Sequence, residues 1–352
     1  MIRFVFTPFC SLLLLSLAST SLKAQKLHDP SEIFQLISDS RLKYLIEQDD
    51  DIQGVPFETP QLTPGMGLIK TPSGADSLGI LELRDEAIPH WEKAEEAFAA
   101  KNFAEAITWY RKLLKIQPEY HSAYTMIGDA HFNMGQYDSA RFYLEFAIEE
   151  NYVDYQAHWF LASTLKKLGD DEEALHQITI AHILNPGHTI LKQVLNANRK
   201  RLDRTWKEWS FAPAYELVEE MEDEVRVRFA SGWMMYSLAK ALWAYEPGYV
   251  ETMGLTEDDV SLSALPEKEA LLSFIIEQSL ARNAVEEGEK DESALPAREV
   301  LEMADRLAEI FEADMVELFI YYEIIGKQYP RIFSAMSPET IEHFVQYVNR
   351  YH

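Results

Sequence analysis

Residues 121–154 read HSAYTMIGDAHFNMGQYDSARFYLEFAIEENYVD, and this stretch decides the fold because its pattern recurs. Ala106, Ala140 and Ala174 stand 34 residues apart, and so do Ala94, Gly128 and Ala162. Leu113, Ala147 and Ala181 share the offset, as do Tyr110, Leu144 and Ile178, and Phe103 with Tyr137. Pro118 and Pro186 lie two periods apart, with Tyr152 in the place between them. Three repeats follow: Ala87–Tyr120, His121–Asp154 and Tyr155–His188. A fixed period of this length marks stacked copies of one small unit that cannot bury its apolar face alone.

Each repeat reads as two antiparallel helices. The first runs from about the second position to the fourteenth, and Gly135 and Gly169 then supply a turn residue able to take positive φ. In the first repeat that slot is Lys101, and the neighbouring Asn102 is expected to be the left-handed residue instead. The second helix ends near Pro118 or Pro186, where a helix cannot continue. Small residues at positions 8 and 20, and at position 27 of the second and third repeats, let neighbouring helices approach closely, and Ile127, Leu161, Tyr110 and Leu144 fill the space between them.

These residues resemble the tetratricopeptide repeat family. The middle repeat carries the match most fully, through Tyr124, Ile127-Gly128, His131, Gly135, Tyr137, Ala140, Leu144 and Ala147. The third adds Leu161-Ala162, Gly169, Ala174, Ala181 and Pro186, whereas the first departs from the pattern at Trp91 and Lys93. The resemblance implies a concave groove lined by first helices, at about positions 2, 5, 9, 12 and 13 of each repeat. Those slots hold Trp91, Glu95 and Phe98, then Thr125, Asp129, Phe132 and Asn133, then Trp159, Ser163 and Lys166. Aromatic anchors with a few polar neighbours suit an extended or helical protein segment. Chaperone-binding relatives hold a terminal carboxylate with a lysine–asparagine clamp, which Trp91, Glu95 and Thr125 replace here. The opposing reading is that the flanks of this chain fill the groove from within.

The expected fold class is all-α: a short α-solenoid of helix-turn-helix units with a flanking N-terminal helix and a C-terminal helical bundle. Residues 1–24 read as a signal peptide, 25–86 as a helix and a Pro/Gly-rich connector, 87–188 as the repeats, 189–204 as a capping helix and 205–352 as an acidic helical part. The N-terminal helix is expected over Asp29 to about Gln48, with a break near Ser38–Ser40 as the alternative, and another helix near Leu81. The connector either runs ordered along the solenoid or is flexible. Leu217, Met221, Val225, Phe229 and Trp233 recur every four residues and favour a helix, although Val225–Phe229 alternates as a strand would. Further helices are expected over Pro266–Val285, Pro296–Phe311 with a continuation through Ile325, and Pro338–Tyr351, each opened by a proline whose missing N–H costs little there.

Arg3, the apolar run Leu12–Leu17 and the small-residue exit at Ala24 form a secretory signal pattern, with Gln25 as the new N-terminus. Cys10 precedes the apolar run, so the order is wrong for a lipoprotein signal. It leaves with the leader, which fits an oxidising compartment without disulfides. The remaining 30 basic and 58 acidic residues give a net charge of −28, of which −18 falls after residue 204. Such a chain does not displace the counterions of a nucleic acid, so that partner class is excluded. Phe229–Tyr245 is too short for a membrane span and contains Lys240. The destination read from the leader is export, periplasmic or secreted.

No Gly-rich phosphate loop, nucleophile elbow or zinc-protease motif occurs, and with one cysteine no multi-thiolate metal site can form. No catalytic residue, cofactor or metal is assigned. Asp49-x-Asp51-x-Gln53-Gly54 begins like a calcium loop, but its twelfth position is Pro60 and it reads as a solvated acidic turn. His176, His182 and His188 are six apart, which points successive side chains away from one another on a helix. The run Glu219–Glu224 reads as a charged helical surface, and Arg199–Arg204 as charge placed against a helix dipole. The function expected is a protein-interaction scaffold. A helical enzyme, or an envelope protein stacking sugar rings on Trp91 and Trp159, are the alternatives left open.

Overall fold

The computed structural model describes residues 26–352 apart from 58, 61, 63–65, 71–75, 208–209 and 222. The leader expected over residues 1–24 lies outside them. In chain order the first elements are α1 (Pro30–Asp39), β1 (Lys43–Gln48), β2 (Met66–Lys70), β3 (Asp76–Ile80), α2 (Ile88–Ala99) and α3 (Phe103–Ile116). Next come α4 (Ser122–Asn133), α5 (Tyr137–Glu150), α6 (Tyr155–Leu168), α7 (Asp171–Leu184), α8 (Thr189–Arg201), β4 (Tyr215–Met221) and β5 (Glu224–Phe229). The rest is helical: α9 (Met234–Tyr245), α10 (Tyr249–Thr252), α11 (Glu257–Val260), α12 (Leu265–Glu286), α13 (Arg298–Glu312), α14 (Val316–Phe319), a π-helical turn over Ile320–Ile325, α15 (Gly326–Gln328) and α16 (Pro338–Tyr351). Contacts group these into two compact bodies across the expected boundary at 205: residues up to 56 with 211–320, and 57–210 with 321–352.

The repeats occupy the second body as the helix pairs α2/α3, α4/α5 and α6/α7, so the paired-helix fold class is as the sequence implied. Positions 8, 20 and 27 are buried in all three repeats. Gly128 shows why position 8 must be small: an added Cβ would stand 2.5 Å from Leu144 Cγ. The first-helix ends repeat one hydrogen bond, from Asn102, Gln136 and Asp170 N–H to the carbonyls of Ala97, His131 and Leu165. That closure needs a left-handed residue just before the donor, and it is Lys101, Gly135 and Gly169 that have φ of 63°, 71° and 88°. The expectation for Asn102 is therefore corrected, since the repeat register, rather than residue preference, chooses the position. Lys101→Gly is expected to raise stability by about 0.5–1 kcal/mol, because a side chain in this region is strained. An unchanged or lowered denaturation midpoint would contradict that.

Asn185 and Gln117, both at position 31, are buried and grip the connector through both amide ends. Asn185 donates to the Leu62 carbonyl and accepts from its N–H, each at 3.1 Å. Gln117 donates to the Glu82 carbonyl and accepts from Arg84 N–H, each at 2.9 Å. The connector thus runs ordered beside the repeats at these points, with the antiparallel hairpin β2–β3 between them. The helix expected near Leu81 begins only at Ile88.

The second body is completed by α8 and the last residues of the chain. α8 ends at Arg201, short of the expected residue 204, and buries Leu191 and Leu195, whereas Ile190 is exposed. Its basic end pairs with the start of α7, Arg201 with Asp171 at 2.8 Å and Arg204 with Glu172 at 3.1 Å. α16 packs on α7, where His176 Nε2 lies 2.8 Å from Glu342. His182 is buried against Trp206 and Tyr322, with Nδ1 lacking a hydrogen-bond partner. Burial, helped by Lys192, pushes its pKa down to about 3. A histidine held neutral stabilises fully above its unfolded pKa, and that stability is lost as pH falls toward the folded value. The second body should accordingly lose about 2 kcal/mol between pH 6.5 and 4.5 from this group. His182→Phe should flatten that slope in pH-dependent melting, and an unchanged slope would refute the assignment.

In the first body β5 pairs parallel to β1 and antiparallel to β4, giving the order β1-β5-β4. The helix expected to reach Gln48 stops at Asp39, and β1 follows. The helix favoured over Leu217–Trp233 is likewise a hairpin. Val225, Val227 and Phe229 face inward, while Arg226 and Arg228 pair outward with Glu220 and Glu216. Glu219, Glu220 and Glu224 of the acidic run therefore lie on strands and not on a helical surface. Asp49 pairs with Arg228, and Asp50 accepts Ser231 N–H at 2.7 Å, so this turn spends its carboxylates on the sheet.

Glutamates along α12 fasten α9. Glu267 accepts the Tyr236 hydroxyl at 2.6 Å and pairs with Lys240. Glu277 accepts Met235 N–H at 3.0 Å, and burial raises its pKa to about 7. Glu269, fully buried, accepts from Trp243 Nε1 and the Tyr249 hydroxyl, each at 2.7 Å, and from His28 N–H at 2.8 Å. Of the stretch Phe229–Tyr245, only Met234–Tyr245 is helix, and no helix among the described residues is long and apolar enough to cross a membrane.

Candidate functional site

The candidate residues all lie on the first helices of the repeats, and the pairing of each with its second helix fixes which of them face outward. Position 5 holds Trp91, Thr125 and Trp159. Trp91 is partly buried, with its ring 5.5 Å from that of Tyr110 and 5.4 Å from that of Tyr120. Trp159 is also partly buried and meets the His188 ring edge-on at 5.5 Å. Thr125 is different. It is 2% exposed and donates its hydroxyl to Asp154 at 2.7 Å, so it is spent on joining repeats. Asp154 also caps α6 through the N–H groups of Gln156 and Ala157, yet burial still raises its pKa.

Position 9 holds Glu95, Asp129 and Ser163. Glu95 accepts the hydroxyl of Tyr110, whose ring is fully buried in the first-repeat core. Burial, then Glu95, raises the pKa of Tyr110 and also that of Tyr120. Asp129 accepts the side-chain amide of Asn133 at 2.9 Å, and burial lifts its pKa to about 6. Ser163 donates back to the Trp159 carbonyl at 3.1 Å, an ordinary helical hydroxyl bond.

Position 12 holds Phe98, Phe132 and Lys166, all partly buried. Phe98 meets Phe103 edge-on at 5.2 Å. Phe132 rests on a core of Ala140, Leu144, Leu161, Leu165 and Ala174. Asn133 beside it is exposed. The repeat geometry therefore places Trp91, Glu95, Phe98, Asp129, Phe132, Trp159 and Lys166 in matching helix slots, while Thr125 is withdrawn. Sequence reading missed Tyr110 as the partner of Glu95. Its full burial beside an acidic slot on the preceding helix was the signal available, since a buried hydroxyl requires an acceptor.

The histidines at 176, 182 and 188 have separate surroundings: His176 meets Glu342, His182 meets Trp206, and His188 meets Trp159. Among the described residues no group of three His, Cys, Asp or Glu side chains is placed to hold a metal ion. An open cleft of about 390 Å³ lies elsewhere, beside α5 and α7, with Ile148, Leu161 and Leu165 at its base and Glu145, Glu149, Asp170 and Glu173 around it.

Comparison with known proteins bears on the repeats. A family model described as TPR repeat matches residues 94–135, and one described as tetratricopeptide repeat matches residues 125–178. No curated protein matches the chain. Among solved structures the chain is similar to the Arabidopsis OM64 TPR domain, with 18% identity and a TM-score of 0.32 over 33% of this chain and 95% of that one. It is similar to the TPR2B domain of yeast Sti1 in its pHsp70 complex, at 18% identity and a TM-score of 0.32, covering 34% and 99% of the two chains. The Yersinia enterocolitica type III secretion chaperone SycD, in complex with a YopD peptide, gives 17% identity and a TM-score of 0.31, covering 34% and 92%.

Proposed function

We propose that this member of the tetratricopeptide-repeat proteins is a non-catalytic scaffold that holds a segment of another protein in the concave groove of residues 87–188. The observation that carries the reading is a row of large rings, Trp91, Phe98, Phe132 and Trp159, kept partly open to solvent on the first helices of all three repeats. A protein without a use for such a row would bury it or replace it, because anchors of this kind are what interfaces draw on. The amide grips at Gln117 and Asn185 also favour an open groove, since they fasten the connector at position 31 rather than at positions 5, 9 and 12.

The compartment belongs to the same proposal. The leader Arg3–Ala24 supports export to a bacterial periplasm or beyond. The partner is accordingly sought in the cell envelope. The test is a pull-down from envelope extracts with the full chain and with a Phe132→Ala, Trp159→Ala variant, with the N-terminus of the recovered chain read by mass spectrometry. One defined protein retained by the parent and lost by the variant supports the groove. Equal retention by both removes it, and a chain starting at Met1 in that fraction removes the cleaved leader.

A further inference from the structure

The inner face is not electrically uniform. Position 9 carries a carboxylate in the first two repeats, Glu95 and Asp129, and a serine in the third. Each carboxylate has an aromatic ring three residues on, Phe98 and Phe132, and Glu95 also has Trp91 four residues before it. Residues three and four apart share a helix face.

Neither carboxylate has a cationic partner among the described residues: Glu95 takes the Tyr110 hydroxyl and Asp129 the Asn133 amide. Some carboxylates on other surfaces of the repeats do have such a partner. Glu119 pairs with Arg84, Glu145 with Arg141, and Asp171 with Arg201. The groove thus keeps two carboxylates, partly withdrawn from water, with no counter-charge among the described residues. Withdrawal from water weakens screening and strengthens attraction to an arriving cation. It also raises the pKa of Asp129 to about 6, a shift that a neighbouring cation would reverse. Rings beside the carboxylates add the favourable face for an ammonium or guanidinium group.

We propose that the occupant of the groove is a protein segment bearing a lysine or arginine, whose charged head sits at Glu95 and Asp129 against the rings of Trp91, Phe98 and Phe132. The aliphatic stem of such a side chain covers ring surface while its head reaches a carboxylate. Lys166 takes position 12 of the third repeat, so the sign reverses along the groove and the segment is neutral or acidic at that end. A terminal carboxylate seated in the first two repeats would meet like charge.

This inference rests on the groove being a binding site, and the experiment separates the two. The probes are fluorescein-labelled, N-acetylated, C-amidated dodecapeptide pools on an alanine/leucine background, with lysine, norleucine or glutamate at the central positions. Binding to the full chain is read by fluorescence anisotropy. The lysine pool is expected to bind at least tenfold more tightly than the norleucine pool, and Glu95→Gln with Asp129→Asn should reduce that ratio below threefold. Glu119→Gln, outside the groove, should leave it unchanged. Asp129→Lys provides a second variant that leaves the Glu95–Tyr110 bond in place, and it should turn the preference toward the glutamate pool. If no pool binds, the groove reading fails and this inference with it. If pools bind without a lysine preference, or the preference survives in both variants, the inference is overturned and the groove reading stands.

Discussion

Replacing Glu269 by leucine is expected to destabilise the first body by about 4 kcal/mol, the cost of orphaning several buried donors at once. The carboxylate is fully buried on α12 and is the acceptor shared by Trp243 Nε1, the Tyr249 hydroxyl and His28 N–H. His28 Nδ1 also lies 3.0 Å from it. Leucine fills similar space but accepts nothing, so the loss is electrostatic rather than volumetric. Glu269→Gln keeps one acceptor and should lose less than half as much. The measurement is hydrogen exchange of α9 and α12 peptides, which reads this body by itself. Protection in E269L equal to the parent would show that the donors find other partners.

Tyr110→Ala is expected to cost about 4 kcal/mol in the first repeat, within the range for removing a fully buried aromatic side chain. Its ring is inaccessible to solvent and packs in the core formed by Ala94, Ala97, Ala106, Leu113 and Ile127. The substitution also leaves Glu95 without its hydroxyl donor. Tyr110→Phe separates the two contributions and should cost about 1 kcal/mol, the worth of one hydrogen bond. Exchange of α2 and α3 amides should rise strongly in the alanine variant and weakly in the phenylalanine variant. A solenoid passes stability between neighbours, so α4 and α5 should respond next and α7 least. Uniform loss across all three repeats would contradict a nearest-neighbour account.

The repeats were legible because one period carries their helices, turns and close approaches together. Ala140 and Ala174, Gly135 and Gly169, and Leu144 and Ile178 each report the same register, so no single residue had to be trusted. Two of the three helices expected to open on a proline do so for a local reason, α12 at Pro266 and α16 over the expected Pro338–Tyr351, whereas α13 begins at Arg298, two residues after Pro296.

The sheet was not legible, for two physical reasons. Lys43–Gln48 pairs with Glu224–Phe229, a contact between residues some 180 places apart that no local pattern announces. The spacing of four from Leu217 to Phe229 also keeps residues on one side in a helix and in a strand alike, since four is a multiple of the strand period. Only the alternation Val225, Val227, Phe229 separates the two, and it is confined to β5. At the groove, slots were legible and commitments were not. Thr125 occupies a binding slot by position, but the carboxylate of Asp154, the last residue of its repeat and the cap of the next helix, claims its hydroxyl. Conversely, nothing in the sequence marked the amides of Gln117 and Asn185, because the connector residues they grip, Leu62, Glu82 and Arg84, carry no periodic signal.

The central claim is that partner contact runs through the inner face of the repeats, and site-specific photo-crosslinking in cells that make the protein tests it most directly. A benzophenone amino acid at position 132 probes the groove. The same group at position 142, where Phe142 is 64% exposed on the second helix of that repeat, probes its other side. The expected result is one discrete adduct with a second protein from position 132 and none from position 142. No adduct from position 132, or the same adduct from both positions, would contradict the claim.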